Sequence, residues 1–553
     1  MYVRVLASVL LAALILASAL HVSAAPAAPS VKVYVDVRVD GNATVTYVVS
    51  GVGGSRFWIF LPKFEKVSGR ALDGSFRVAE NRTSSFYFYY NSTIEARPGP
   101  DGRYAFNMSF GFPYASIMAG YNGWFMTPAI VAEPDIRTLV YVKLPFLKRV
   151  TLEEPSHVGK VDGYLVYELY GPLYLELGGR VTIEYDMTRP TPTAKVSRSF
   201  SGVEVLVEYP VYYRRFALKT AEIAGKAVPL YIDLFHAKPS KIEFRFYLPK
   251  QAMGGIGTLG FMRGSDVNVG GRGPIELNLA LMRYAPGYHE TTVLHEMVHK
   301  FLGMIGVEAT DETRWIHEGL AQYVSIRAGK RLGLPIGDLE KMLDNSSKRL
   351  VERLHGNLGF IQEWPYGNPA LEGEAYLASY YIVKTVADKY GGLDYVSRLA
   401  TAIKEHGGVK DTQDIVDVMS AAAGRDLSGL FVKWGFKGVQ PWRGGAAQPT
   451  KPAKPKPRPS QQPQGGGNET KPQSPEGAQG GKGGTESFFG NARNLMVTSA
   501  LVLGGLAAFM VYVVNTRISR EISVASSRVY VPGEEEEEAG EAGKEGGGEK
   551  PGE

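Results

Sequence analysis

The chain has 553 residues, 44% hydrophobic and 21% charged, which excludes a wholly disordered chain and leaves room for two sizeable folded domains. Its 61 basic and 56 acidic residues nearly cancel, to a net charge of +5, and no basic block is long enough to follow a nucleic-acid backbone, which sets nucleic acid aside as a partner. The lack of cysteine excludes disulfides, iron–sulfur clusters, thiolate metal sites and a cysteine nucleophile, so a metal must be held by His, Asp or Glu.

In chain order, residues 1–24 predict a secretory signal peptide. Arg4 precedes the apolar run Val5 to Leu20, and Val22-Ser23-Ala24 supplies a cleavage site; a retained anchor is the alternative. Residues 26–195 predict a β-rich domain, a sandwich or an open saddle-like sheet. VKVYVDVRV, ATVTYVV, TLVYVKL, YLVYEL and RVTIEY alternate apolar and polar residues between Gly, Pro, Asn and Asp breaks. Arg189-Pro-Thr-Pro-Thr193 marks the boundary. Residues 196–440 predict a second, α+β domain. The strand-like VEVLVEY and Lys241–Tyr247 flank a helix over 212–236, and from 291 to 434 the periodicity is helical.

The remainder is of foreign composition. Residues 441–490, rich in Pro, Gly, Gln and Lys, predict an extended stalk. Residues 495–514 (LMVTSALVLGGLAAFMVYVV) contain no charge and predict one transmembrane helix in a lipid bilayer, followed on its inner side by Arg517 and Arg520. Residues 515–553, with Glu534 to Glu538, predict an acidic disordered tail. Glycosylation sequons at Asn42, Asn81, Asn91, Asn107, Asn345 and Asn468 all precede that segment. Their placement predicts an ectodomain outside the cell membrane and a cytoplasmic tail.

The segment that carries chemistry is His295-Glu296-Met297-Val298-His299. On a helix, positions four apart share a face, so both imidazoles can reach one ion. Glu296 then stands beside a metal-bound water as a general base. A third ligand in the pattern His-x-x-Gly-x-x-His is excluded, because Gly303 is four residues past His299 and Ile305 fills the place of the third histidine. A glutamate on a second helix is offered by Trp315-Ile-His317-Glu318-Gly-Leu-Ala-Gln-Tyr323, with eighteen residues between His299 and Glu318.

These residues resemble the gluzincin metallopeptidases of the aminopeptidase N-like clan, whose pattern is HExxH, eighteen residues, then the glutamate of W-x-x-E-G-x-A-x-Y. The resemblance extends over roughly 212–434, through Lys300-Phe-Leu-Gly303, Glu374 to Tyr380, and Thr412 to Trp434. It implies one Zn2+ per chain on His295, His299 and Glu318, Glu296 as catalytic base, and a peptide or protein substrate. It also implies a tyrosine that donates to the developing oxyanion. Tyr376, Tyr380 and Tyr381 lie 58, 62 and 63 residues past Glu318; Tyr376 fits the local pattern best, with Tyr380 in reserve. His317 occupies a place where relatives carry asparagine, and reads either as a second partner hydrogen-bonded to a ligand or as a surface histidine.

One element of the resembled pattern is missing. Family aminopeptidases hold the substrate's α-amine on the glutamate of G-x-M-E-N, and Gly254 to Glu290 contains no such segment; Glu276 is the stand-in on paper. The sequence therefore predicts a multidomain fold: a mostly-β N-terminal domain, an α+β, mainly helical zincin-like domain, a disordered stalk and one transmembrane helix. The activity predicted is that of a membrane-anchored zinc peptidase. A strict aminopeptidase and a non-catalytic surface binding module are the alternatives.

Overall fold

The computed structural model describes residues 29–83, 88–133, 135–170, 178–365, 369–444 and 497–499. The segment 1–24, the stalk from residue 445, Asn468 and the acidic tail lie outside the described residues.

Residues 30–191 are mostly strand. Alternation decides which face is buried: in Ser30–Val37 the side chains of Val31, Val33, Val35 and Val37 are buried while Lys32 is exposed. A seven-stranded sheet runs in the order Gly159–Val161, Tyr164–Leu169, Thr138–Lys143, Ser30–Val37, Ala43–Val52, Arg103–Phe112, Ser68–Asp73. Two three-stranded sheets accompany it, and the three contribute Val45, Phe106, Ile94, Phe57, Ile183 and Tyr185 to one core. Sheets packed face to face over a shared core make a sandwich.

The second part begins with a hairpin, Thr193–Phe200 against Val203–Pro210. Val203–Pro210, Lys241–Tyr247 and Ile275–Asn278 are parallel neighbours, and Gly260–Arg263 pairs antiparallel with Ile275–Asn278. Nine helices are described: α1 (Arg214–Phe235), α2 (Gly264–Asn268), α3 (Tyr288–Met304), α4 (Arg314–Arg331), α5 (Gly337–Arg353), α6 (Pro369–Tyr390), α7 (Leu393–His406), α8 (Thr412–Ala423) and α9 (Ser428–Lys433). Together with the sheet they enclose one large core from Val203 to Phe436. The sandwich is keyed to this body: the Tyr213 hydroxyl accepts from the Met118 N–H at 2.7 Å, and Lys250 Nζ donates to Asn122 Oδ1 at 2.6 Å.

α3 is the centre of the helical mass. Every residue from His289 to Gly303 is buried, including the polar face that an amphipathic reading leaves to solvent. Its start is defined by Gly287, whose N–H is accepted by Glu290 Oε2 at 3.0 Å, and Glu290 is also paired with Lys219 at 2.6 Å. α4 packs against both α3 and α6. Trp315 on α4 is seated on Phe431 and Phe436, so the C-terminal turn of the body closes under the second motif.

The expected fold class requires correction at its C-terminal end. Among the described residues no helix is long and apolar enough to cross a membrane. Of residues 495–514 only Val497–Ser499 are described, and they are not helical: they form a strand antiparallel to Gly260–Arg263, pairing Phe261 with Ser499 and Arg263 with Val497. The open edge of Gly260–Arg263 offers unpaired backbone groups, and a short extended segment satisfies them. The sequons also separate by exposure. Asn81 and Asn345 are exposed, whereas Asn42, Asn91 and Asn107 are half-buried, with Asn42 Nδ2 donating to Asp40 at 2.9 Å.

The approach of α4 to α6 depends on a missing side chain. A Cβ on Gly319 would lie 2.7 Å from the Ser379 carbonyl oxygen, a backbone atom that has no rotamer to yield. We expect Gly319→Ala to destabilise the chain by about 1–3 kcal/mol, seen as a lowered midpoint in thermal unfolding. Gly429→Ala, on an exposed face of α9 with nothing within 4 Å, should leave the midpoint unchanged or slightly raised.

Candidate metal centre

α3 and α4 bring His295, His299 and Glu318 together. One candidate ligand atom from each lies within 4.8 Å of the others, and all three side chains are buried. His295 Nε2 is 3.1 Å from Glu318 Oε2, and His299 Nε2 is 3.6 Å from the same oxygen. The four-residue spacing puts both imidazoles on one face of α3, and one turn of α4 carries the carboxylate to meet them.

The protonation states suit a cation. Burial pushes the His295 imidazole below its ordinary pKa, outweighing the pull of the neighbouring Glu318. Burial raises the Glu318 carboxyl, but the neighbouring His299 and the hydrogen-bonded His295 outweigh it and hold the group well below the usual carboxylate range. Two imidazoles and one carboxylate are a donor set suited to a divalent metal. Among the described residues, His299 Nε2 and Glu318 Oε1 have no hydrogen-bond partner. Buried polar atoms left in this way are costly, and a shared ion would satisfy them together. This buried group can hold a metal ion.

Glu296 is buried beside His295, on the side of α3 facing Gly260. A Cβ on Gly260 would sit 3.0 Å from Glu296 Cγ and 3.1 Å from its Oε1, so the absent side chain makes space for the carboxylate. Tyr247 is close by. Burial, then the charge of Glu296, drives its hydroxyl well above the ordinary tyrosine pKa, and it donates to the Thr258 carbonyl at 2.7 Å.

His317 is not a surface residue. It is wholly buried, its Nε2 reaches the Val307 carbonyl at 3.2 Å, and its ring centroid is 5.7 Å from that of His299. Burial drives its pKa down to about 3, so the ring is neutral. With Nε2 donating to a carbonyl, Nδ1 is left as an acceptor, and it has no hydrogen-bond partner among the described residues. His317 lies beside the cluster, outside the three residues whose ligand atoms converge.

Of the two tyrosines expected as oxyanion donors, Tyr380 is committed elsewhere, its hydroxyl donating to Asp344 on α5 at 2.8 Å. Tyr376 is buried on α6 with its ring edge-on to Trp364, centroids 4.7 Å apart. Arg314 meets Glu372, Gly319 approaches Ser379, and the Tyr323 hydroxyl donates to Asp388, so α4 and α6 run in the same direction. Interpolating along that register puts Glu318 level with Leu377 and Ala378, within about half a turn of Tyr376.

Glu276 does not join the site. Gly260 pairs with Leu277 and Phe261 with Glu276, and it is Gly260 that faces Glu296. Neighbours along a strand point to opposite faces, so Glu276 lies on the far side of the sheet, near Arg245 and Glu208. One residue was overlooked in the sequence. Gln322, one turn past Glu318, is wholly buried, and among the described residues neither of its amide atoms has a partner. Its spacing of four from Glu318 is the signal that would have singled it out.

No protein-family model and no curated protein matches the chain.

Removing a ligand and removing its neighbour should differ. We expect Glu318→Ala to lose stoichiometric metal on dialysis, while His317→Ala retains it with an affinity lowered about tenfold. Metal analysis of both variants is the check, and equal loss would reassign the third ligand.

Proposed function

We propose that the chain is a zinc-dependent peptidase that hydrolyses peptide bonds by base-assisted attack of water. The observation that carries this reading is the buried His295, His299 and Glu318 group with Glu296 adjacent. Zinc suits two imidazoles and a carboxylate with one position left open, and when bound it polarises a carbonyl and lowers the pKa of water towards about 7. Glu296 takes the proton of the attacking water and delivers it to the leaving amine. Tyr376 donates its hydroxyl to the oxygen on which negative charge develops. The N-terminal segment and the one-sided sequons support an exported enzyme.

The peptidase we propose is not a strict aminopeptidase. Exo-specificity needs a carboxylate for the substrate's ammonium group, a contact worth roughly 1.5–3 kcal/mol. Three candidate acids are otherwise engaged: Glu290 caps α3 and pairs with Lys219, Glu372 is paired with Arg314, and Glu276 is on the other face of the sheet. Internal peptide bonds satisfy every group named above.

Two outcomes follow. Glu296→Gln should keep fold and metal and lower turnover at least ~100-fold, because it removes the base and leaves each ligand in place; unchanged turnover would locate the chemistry elsewhere. A peptide and its N-acetylated twin should differ by about tenfold or less in kcat/KM. Product analysis by mass spectrometry checks this, and stepwise trimming of the free peptide alone would establish an aminopeptidase.

A further inference from the structure

One charged pair stands next to the metal centre without belonging to it. Arg314 and Glu372 form two parallel hydrogen bonds, NH1 to Oε1 at 3.0 Å and NH2 to Oε2 at 2.9 Å. Arg314 is 1% exposed and Glu372 9%. Each lies one helical turn before a residue of the proposed chemistry: Arg314 before Glu318 on α4, and Glu372 before Tyr376 on α6. Trp364 joins the two. Its face is 4.1 Å from the Arg314 guanidinium carbon, and its edge meets the Tyr376 ring at an interplanar angle of 88°.

We propose that Arg314 and Glu372 are a positioning pair that sets Glu318 and Tyr376 at a fixed height and rotation relative to each other, an inference that rests on the peptidase reading. A fork-to-fork contact fixes separation and orientation at once, which a point charge such as lysine does not. Stability alone does not account for the pair. Replacing buried ion pairs with apolar residues of similar volume is often neutral or stabilising, because desolvation cancels the Coulombic gain. What apolar packing lacks is a unique register. Two helices in contact can slide by a fraction of a turn at little packing cost, and such a slide would separate a hydroxyl donor from the oxygen it serves. Trp364 transmits the same constraint to the Tyr376 ring, since rotating that ring out of its edge-on contact forfeits the packing.

The test compares the full chain as wild type, as Arg314→Lys, which keeps the charge and loses the fork, and as Arg314→Met/Glu372→Leu, which removes both charges at similar volume. The double variant should unfold at the wild-type temperature or above. In both variants kcat on a peptide should fall roughly tenfold or more with KM little changed. The visible spectrum of the cobalt-substituted double variant should depart from that of the wild type, because Glu318 has shifted against the two histidines. A wild-type kcat in both variants overturns the positioning role and leaves the peptidase reading intact. If the wild type cleaves no peptide, the peptidase reading fails, and the cobalt spectra decide the pair by themselves: an unaltered spectrum overturns the role and a shifted one upholds it. Failure to take up cobalt overturns both.

Discussion

The molecule is organised around the burial of three polar side chains whose lone pairs point at one another. An imidazole or a carboxylate enclosed in an apolar core is costly unless a partner replaces water. His295, His299 and Glu318 are enclosed on every side, among residues such as Val293, Leu294, Val298 and Leu320. α3 is accordingly sheathed along its whole length, and helix, sheet and C-terminal segments have to close around it. Glycine makes that closure feasible at two places. Gly260 gives the Glu296 carboxylate its space, and Gly319 lets α4 reach α6.

Charge is distributed with the same economy. Burial pushes the His295 imidazole below its ordinary pKa, and the two neighbouring histidines hold the Glu318 carboxyl below its usual range, a donor set that can hold a cation. Of the other buried acids in this body, Glu290 is paired with Lys219 and Glu372 with Arg314, while Glu296 stands beside the cluster. Glu318 is instead paired with the two histidines, and that group can hold a metal ion.

The β sandwich takes part in the body that carries the site. Ile117 and Trp124 belong to the same core as α1 and α3, and Glu184 accepts the Gln251 N–H at 2.6 Å. That bond anchors the glycine-containing segment that leads to Gly260, and the carbonyls of Gly255, Ile256 and Thr258 are held from below by Asn278, Tyr284 and Tyr247. The wall facing Glu296 is thereby held by hydrogen bonds from three side chains.

Much of this was legible in the sequence because it depends on local spacing. Histidines four apart with a glutamate between, a second glutamate inside a helical pattern, and alternating β residues each specify a face without reference to the rest of the chain. The helical periodicity over 291–434 is observed as α3 to α9, from Tyr288–Met304 to Ser428–Lys433. Tertiary structure decided whatever depends on which faces meet. It buried His317, which the sequence left open between core and surface, and assigned Tyr380 to Asp344. It turned Glu276 away through strand pairing, and it made partners of Arg314 and Glu372, 58 residues apart. It also paired Val497–Ser499 with an open sheet edge where an uninterrupted apolar run had predicted helix. Hydrophobicity records that a segment avoids water, but the choice between helix and strand rests on which backbone partners are within reach, and only the assembled fold supplies them.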